Sequence, residues 1–104
     1  MRKSDLSYAR QRLLEICQEL GFGRIDSLLI VGGEPVFDPL PRAVRDVAFG
    51  KENGPRPERE AGDFILKIHA VEFFASLDEM GDGVIEVLTV KHGLPFQMSV
   101  PVPV

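Results

Sequence analysis

The sequence predicts an α+β domain of two tandem αββ repeats, its strands forming one antiparallel sheet of four or five strands with two helices packed on it. Three observations carry this. Residues 6 to 41 lie over 66 to 101 at a constant offset of 60 without gaps. Gly and Pro, which mark special backbone geometry, recur in register at Gly21/Gly81, Gly23/Gly83, Gly33/Gly93, Pro35/Pro95 and Pro41/Pro101. Apolar spacing switches from helical to strand-like at the same place in both copies. Leu6/Leu66, Glu19/Glu79, Ile25/Ile85 and Leu28/Leu88 are further identities.

In the first copy, residues 4–41, Ser4 is the expected N-cap. Leu6, Ala9, Leu13, Ile16, Cys17 and Leu20 follow at helical spacing until Gly21 stops the helix. In the second, residues 63–101, Asp63 is the expected cap, and Leu66, Ala70, Phe73, Phe74, Leu77 and Met80 line one face until Gly81. A hairpin follows each helix. Residues 25–31 and 34–37 flank Gly32-Gly33, and 84–91 and 94–100 flank His92-Gly93, where glycine tolerates the positive φ of a two-residue turn. Pro35 and Pro95 lack an N–H and should turn the ring nitrogen away from the hairpin partner. Between the copies, residues 42–49 alternate as an extra strand, and the Gly-, Pro- and charge-rich remainder to residue 62 reads as a mobile linker.

A chain of 104 residues with 44% apolar and 27% charged residues has the size and composition of one folded domain. The single Cys17 falls on the apolar stripe, cannot form an internal disulfide, and fits a reducing cytoplasm. Charged Asp5, Arg10, Arg12 and Glu15 interrupt any signal-peptide core, and no run approaches the roughly 20 apolar residues of a membrane span. The net charge of −4 lies in the second half: residues 1–60 carry ten basic and ten acidic side chains, residues 61–104 two and six. That balance lacks the global field that draws a protein onto nucleic acid.

Leu28, Leu29, Ile30 and Val31 are apolar at four successive positions, hence on both faces of their strand. Phe64, Ile65 and Ile68 extend the apolar girth of the second helix. Together these seven residues form the candidate self-association surface, pointing to a homodimer; the alternative cover is segment 38–49 folding back on the chain. Arg10, Arg12, Phe22 and Arg24 are the candidate nucleic-acid contacts of the secondary reading, although basic and aromatic residues do not alternate along one strand.

Catalytic, cofactor and metal signatures are lacking. His69 and His92 are the only histidines, too few for a histidine cage. His69 has Glu72 within helical reach as a potential partner in base catalysis, and His92 sits in a turn. Gly21-x-Gly23 follows a helix and opens a strand, the reverse of a phosphate-binding order. Asp78, Glu79, Asp82 and Glu86 lack the ladder of a calcium loop and read as solvated helix-end charges.

At Phe22-Gly23-Arg24-Ile25, followed by apolar residues and Gly33, the first copy resembles a family of very small bacterial proteins known only as a domain of unknown function, with a short helix, an aromatic–Gly pair, a hairpin and a charged tail. The second copy has Asp82 in place of the aromatic residue. The resemblance implies the helix–hairpin unit and no activity. The expected function is therefore that of a small cytoplasmic, non-enzymatic binding or interaction module that self-associates.

Overall fold

The computed structural model describes residues 2–49 and 68–103. A short 3-10 turn at Lys3–Asp5 leads into helix α1, Tyr8–Leu20, followed by strands β1, Gly23–Val31, β2, Glu34–Val36, and β3, Arg42–Arg45. Helix α2, Ile68–Met80, then precedes β4, Gly83–Lys91, and β5, Leu94–Ser99. Among the described residues the result is α+β, with two helices and a five-stranded antiparallel sheet.

Ser7, not Ser4, caps α1: its hydroxyl oxygen accepts from the Arg10 amide at 3.2 Å and its O–H donates to Glu34. The turn at Lys3–Asp5 takes Ser4 out of the helix, and Leu6 tucks into the core ahead of the first helical residue. Residues 50–62, read as a mobile linker, and Asp63, Phe64, Ile65 and Leu66 of the second expected helix lie outside the described residues.

β1 is the spine of the sheet. Along one edge it pairs with β4 from Gly23↔Val90 to Ile30↔Gly83; along the other it carries β2 at residues 29–31 and β3 at residues 23–26. The extra strand expected over 42–49 is confined to Arg42–Arg45, because β1, its partner among the described residues, ends at Gly23 opposite Arg45. Pro35 and Pro95 sit one pair in from their turns, where an antiparallel ladder makes no hydrogen bond, so the missing N–H leaves no gap. In the turns, Gly32 and Gly33 (φ 58° and 76°) and His92 and Gly93 (φ 55° and 73°) adopt the left-handed pair that a tight hairpin needs.

Both helices pack on one face of this sheet. Leu13, Leu14 and Cys17 of α1 and Ala70, Phe73, Phe74 and Leu77 of α2 form a single cluster with Ile25, Leu28, Ile30, Ile85, Leu88 and Val90. Ile25 and Leu28 share that face although three residues apart, because Ser27 takes a positive φ of 57° between them and resets the alternation. Each helix end is tied to the hairpin of the other half: the Gly33 amide donates to the Gly81 carbonyl at 2.6 Å, and the Gly93 amide to the Gly21 carbonyl at 2.8 Å. Arg10 crosses between the helices, its guanidinium bonding the Gly33 carbonyl at 2.8 Å, pairing with Asp78 and Glu34, and lying 5.5 Å from the Phe74 ring centre. No helix among the described residues is long and apolar enough to cross a membrane.

Candidate functional site

A recess lies between α1 and the chain that connects β2 to β3. Pairing of β2 ends at Leu29↔Val36 and resumes with β3 at Asp26↔Arg42, so five residues, Phe37–Pro41, stand opposite only Ser27 and Leu28. The surplus chain, which includes a cis Asp38–Pro39 peptide, bows out of the sheet. It forms one wall with Phe37, Leu40, Pro41 and, from β3, Ala43; Tyr8, Ala9, Arg12, Leu13 and Ile16, at helical spacing on α1, form the other. Ile25 lies among the lining residues, and the cavity measures about 240 Å³.

Its chemistry is one-sided. Tyr8 and Leu40 stand almost fully exposed at the mouth, at 86% and 82%, while Leu13 is buried and Phe37 packs on the core. The polar side chains in the lining are those of Tyr8 and Arg12. Arg12 makes no ion pair with any described residue, whereas Arg10 is spent on Asp78 and Glu34, Arg24 on Asp26, and Arg45 on the Glu19 carbonyl at 2.9 Å.

A second, smaller recess of about 180 Å³ lies between α2 and β5, lined by His69, Glu72, Phe73, Ser76 and residues 95–98. His69 and Glu72 thus share a recess. The His69 ring stacks on Phe96 with centroids 5.3 Å apart and planes 16° apart, and the Lys91 ammonium lies 4.6 Å from the centre of the same ring. Among the described residues no group of three or more His, Cys, Asp or Glu side chains is placed to hold a metal ion. Burial pushes the Cys17 thiol up to about 12, so this sulfur is not a nucleophile at neutral pH.

The face of the sheet away from the helices carries a different surface. Cross-strand pairing aligns Val36, Leu29 and Val84 in one row, with Val31 beside it 52% exposed and Val84 39% exposed. The other end of that face is polar: Arg24 pairs with Thr89, and Asp26 with Arg42. β3 joins the sheet edge instead of covering this face, so segment 38–49 is not its lid.

Of the residues expected to mediate self-association, Leu28 and Ile30 are wholly buried under the helices, because the kink at Ser27 turns them inward. Leu29 and Val31 lie on the face opposite α1 and α2, Ile68 is 62% exposed in the first turn of α2, and Phe64 and Ile65 lie outside the described residues. The four candidate nucleic-acid contacts do not converge. Arg10 braces the helices, Arg12 lines the α1 recess, Phe22 packs edge-on against His92 at 4.9 Å, and Arg24 is held by Asp26. The α1 recess itself had one trace in the sequence, the Asp38-Pro39-Leu40-Pro41 run, whose two prolines break a strand.

Among the described residues, fold and sites together define an α+β protein with an apolar recess rimmed by Arg12 and, opposite α1 and α2, a sheet face that is apolar at one end. Comparison with known proteins finds no matching family model, no matching curated protein and no matching solved structure.

Proposed function

We propose that this chain is an internally duplicated, non-enzymatic interaction module that pairs with a second copy of itself through the face of its sheet opposite α1 and α2. The observation that carries the reading is the Val36–Leu29–Val84 row with Val31 beside it, apolar side chains with no covering element among the described residues. With β1 and β4 of nine residues each, β5 of six, and β2 and β3 supplying seven between them along one edge, strands ~4.8 Å apart at ~3.3 Å per residue present on the order of 500 Å². A standard interface takes ~800 Å² from each partner, so this face suits a reversible dimer more than an obligate one. A two-fold axis through the apolar end sets that row against its copy and leaves Arg24, Arg42 and Lys91 at the periphery, where like charges stay apart.

The duplication is supported by the element bounds. α2 and β4 begin and end 60 residues after α1 and β1, and the Gly33–Gly81 and Gly93–Gly21 bonds are images of each other under that offset. An experimental structure placing residue i and residue i+60 in different element types removes the duplication. The likeness of residues 22–33 to the small bacterial helix–hairpin family belongs to the same proposal and assigns no activity. A cytoplasmic setting rests on the lone, buried Cys17. The scattering of Arg10, Arg12, Phe22 and Arg24 weighs against the nucleic-acid reading.

Leu29→Lys tests the dimer. It sets a charge in the middle of the apolar row but outside the core, so circular dichroism should stay native while sedimentation shifts to the monomer. Wild-type protein that sediments as a monomer throughout the micromolar range sinks the proposal.

A further inference from the structure

We infer that the recess between α1 and Phe37–Pro41 is a binding site for a small amphiphilic carboxylate, its apolar chain against Leu13, Ile16, Phe37 and Leu40 and its carboxylate on Arg12. The cavity of about 240 Å³ holds about eight water-sized volumes at ~30 Å³ each, which fits an aliphatic or arylalkyl acid of roughly eight to ten heavy atoms.

The lining selects among apolar occupants. A peptide laid in this recess would strip water from its own amides and carbonyls, and the side chains there supply only Tyr8 and Arg12 as polar partners, while Pro41 has no N–H to offer. A hydrocarbon chain has no such groups to satisfy. At the rim, the Arg12 guanidinium makes no ion pair with any described residue and presents a planar fork matched to a carboxylate. The recess on α2 is the contrast within one molecule. Sixty residues on, Glu72 stands in place of Arg12, Ser76 in place of Ile16 and His69 in place of Ala9, so that recess is less apolar and repels an anion.

Octanoate is the probe, titrated into the full chain at neutral pH and followed by amide resonances. The expected result is saturable shifts at Tyr8, Arg12, Ile16 and Leu40, with a dissociation constant on the order of 0.1–1 mM for a ligand of ten heavy atoms. Arg12→Gln, an exposed substitution, should weaken binding by about tenfold or more, and octanol should bind wild type as weakly as octanoate binds the variant. Shifts confined to the α2 recess or the open sheet face, equal affinity of Arg12→Gln and wild type, or octanol binding as tightly as octanoate each overturn the inference. So does an apolar acidic peptide that competes for the same residues at lower concentration than octanoate. Repeating the titration on Leu29→Lys separates this site from self-association: a monomer that still binds octanoate keeps the site whatever becomes of the dimer.

Discussion

Replacing Arg10 with alanine should destabilise the fold more than any other single loss of charge on α1. The side chain is only 12% exposed and gathers four contacts: the buried Gly33 carbonyl at 2.8 Å, Asp78, Glu34 at 3.1 Å, and the face of Phe74. The charged bond to the carbonyl is the largest contribution at ~1.5–3 kcal/mol, since its loss leaves a buried acceptor unpaired. The cation–π contact adds ~0.5–1 kcal/mol. Asp78 and Glu34 are 68% and 40% exposed, so solvent screens them, and each pair contributes only a few tenths of a kcal/mol. The total is about 3 kcal/mol, which at ~5 °C per kcal/mol lowers the melting temperature by about 15 °C. Thermal unfolding by circular dichroism reads this directly. Arg10→Lys keeps the charge but not the fork and should recover at most about half, while Asp78→Asn should stay within ~0.5 kcal/mol of wild type. Arg10→Ala within that same margin, or Asp78→Asn costing as much as Arg10→Ala, would refute the assignment of the stability to the backbone bond.

Two further predictions follow from single atoms. A β-carbon on Gly23 would lie 2.0 Å from the Val44 carbonyl oxygen, whereas one on Gly83 meets only the Met80 side chain at 3.3 Å. Gly23→Ala should therefore cost about 1–3 kcal/mol or dislodge β3, and Gly83→Ala should be near neutral; denaturant midpoints that move equally would contradict this. For Cys17, burial raises the folded thiol from 9.0 to about 12, so between those pH values the folded state holds a proton the unfolded chain has lost. Its contribution is fully present below pH 9 and declines as pH rises, by on the order of 1 kcal/mol per pH unit. Cys17→Ala should flatten that decline, and Ellman's reagent should label the wild-type thiol only when the chain unfolds; rapid labelling of native protein at pH 8 would refute the burial.

What the sequence made legible were features set by local chemistry. Helical stripes ending at Gly21 and Gly81, and hairpins turning on Gly32-Gly33 and His92-Gly93, depend on spacing and on which residues tolerate positive φ. What it hid were features set by contacts distant along the chain. Ser4 and Ser7 are equivalent caps by composition; Ser7 prevails with a bond to Glu34, 27 residues away. Leu28 and Ile30 were expected on a surface because four consecutive apolar residues imply two apolar faces, and nothing in the run shows that Ser27 turns those two inward. Arg10 and Arg12 look alike in the sequence. Two residues apart on a helix they point about 200° from each other, so one braces α2 and the other rims the recess.

On the proposed duplication, the backbone frame and the side chains have followed separate histories, and this explains why the candidate ligand site lies in one half alone. The reciprocal Gly33–Gly81 and Gly93–Gly21 bonds keep both helix ends docked whatever the neighbouring residues are. Beside them the side chains differ: Asp82 accepts from the Gly32 amide at 2.7 Å at one end, while Phe22 packs on His92 at the other. Arg10 and Asp78, which clamp one helix crossing, correspond under the offset to Ala70 and Gln18, both buried. The Phe37–Pro41 lobe has its counterpart in residues 97–101, where β5 runs on in the sheet to Ser99 past a single irregularity at Thr89/Val90. A frame held by backbone bonds lets one copy lose an ion pair and the other leave its strand without unfolding either. The lobe that leaves the strand opens the recess, and Arg12, with no counterpart cation on α2, gives it a charge to select with.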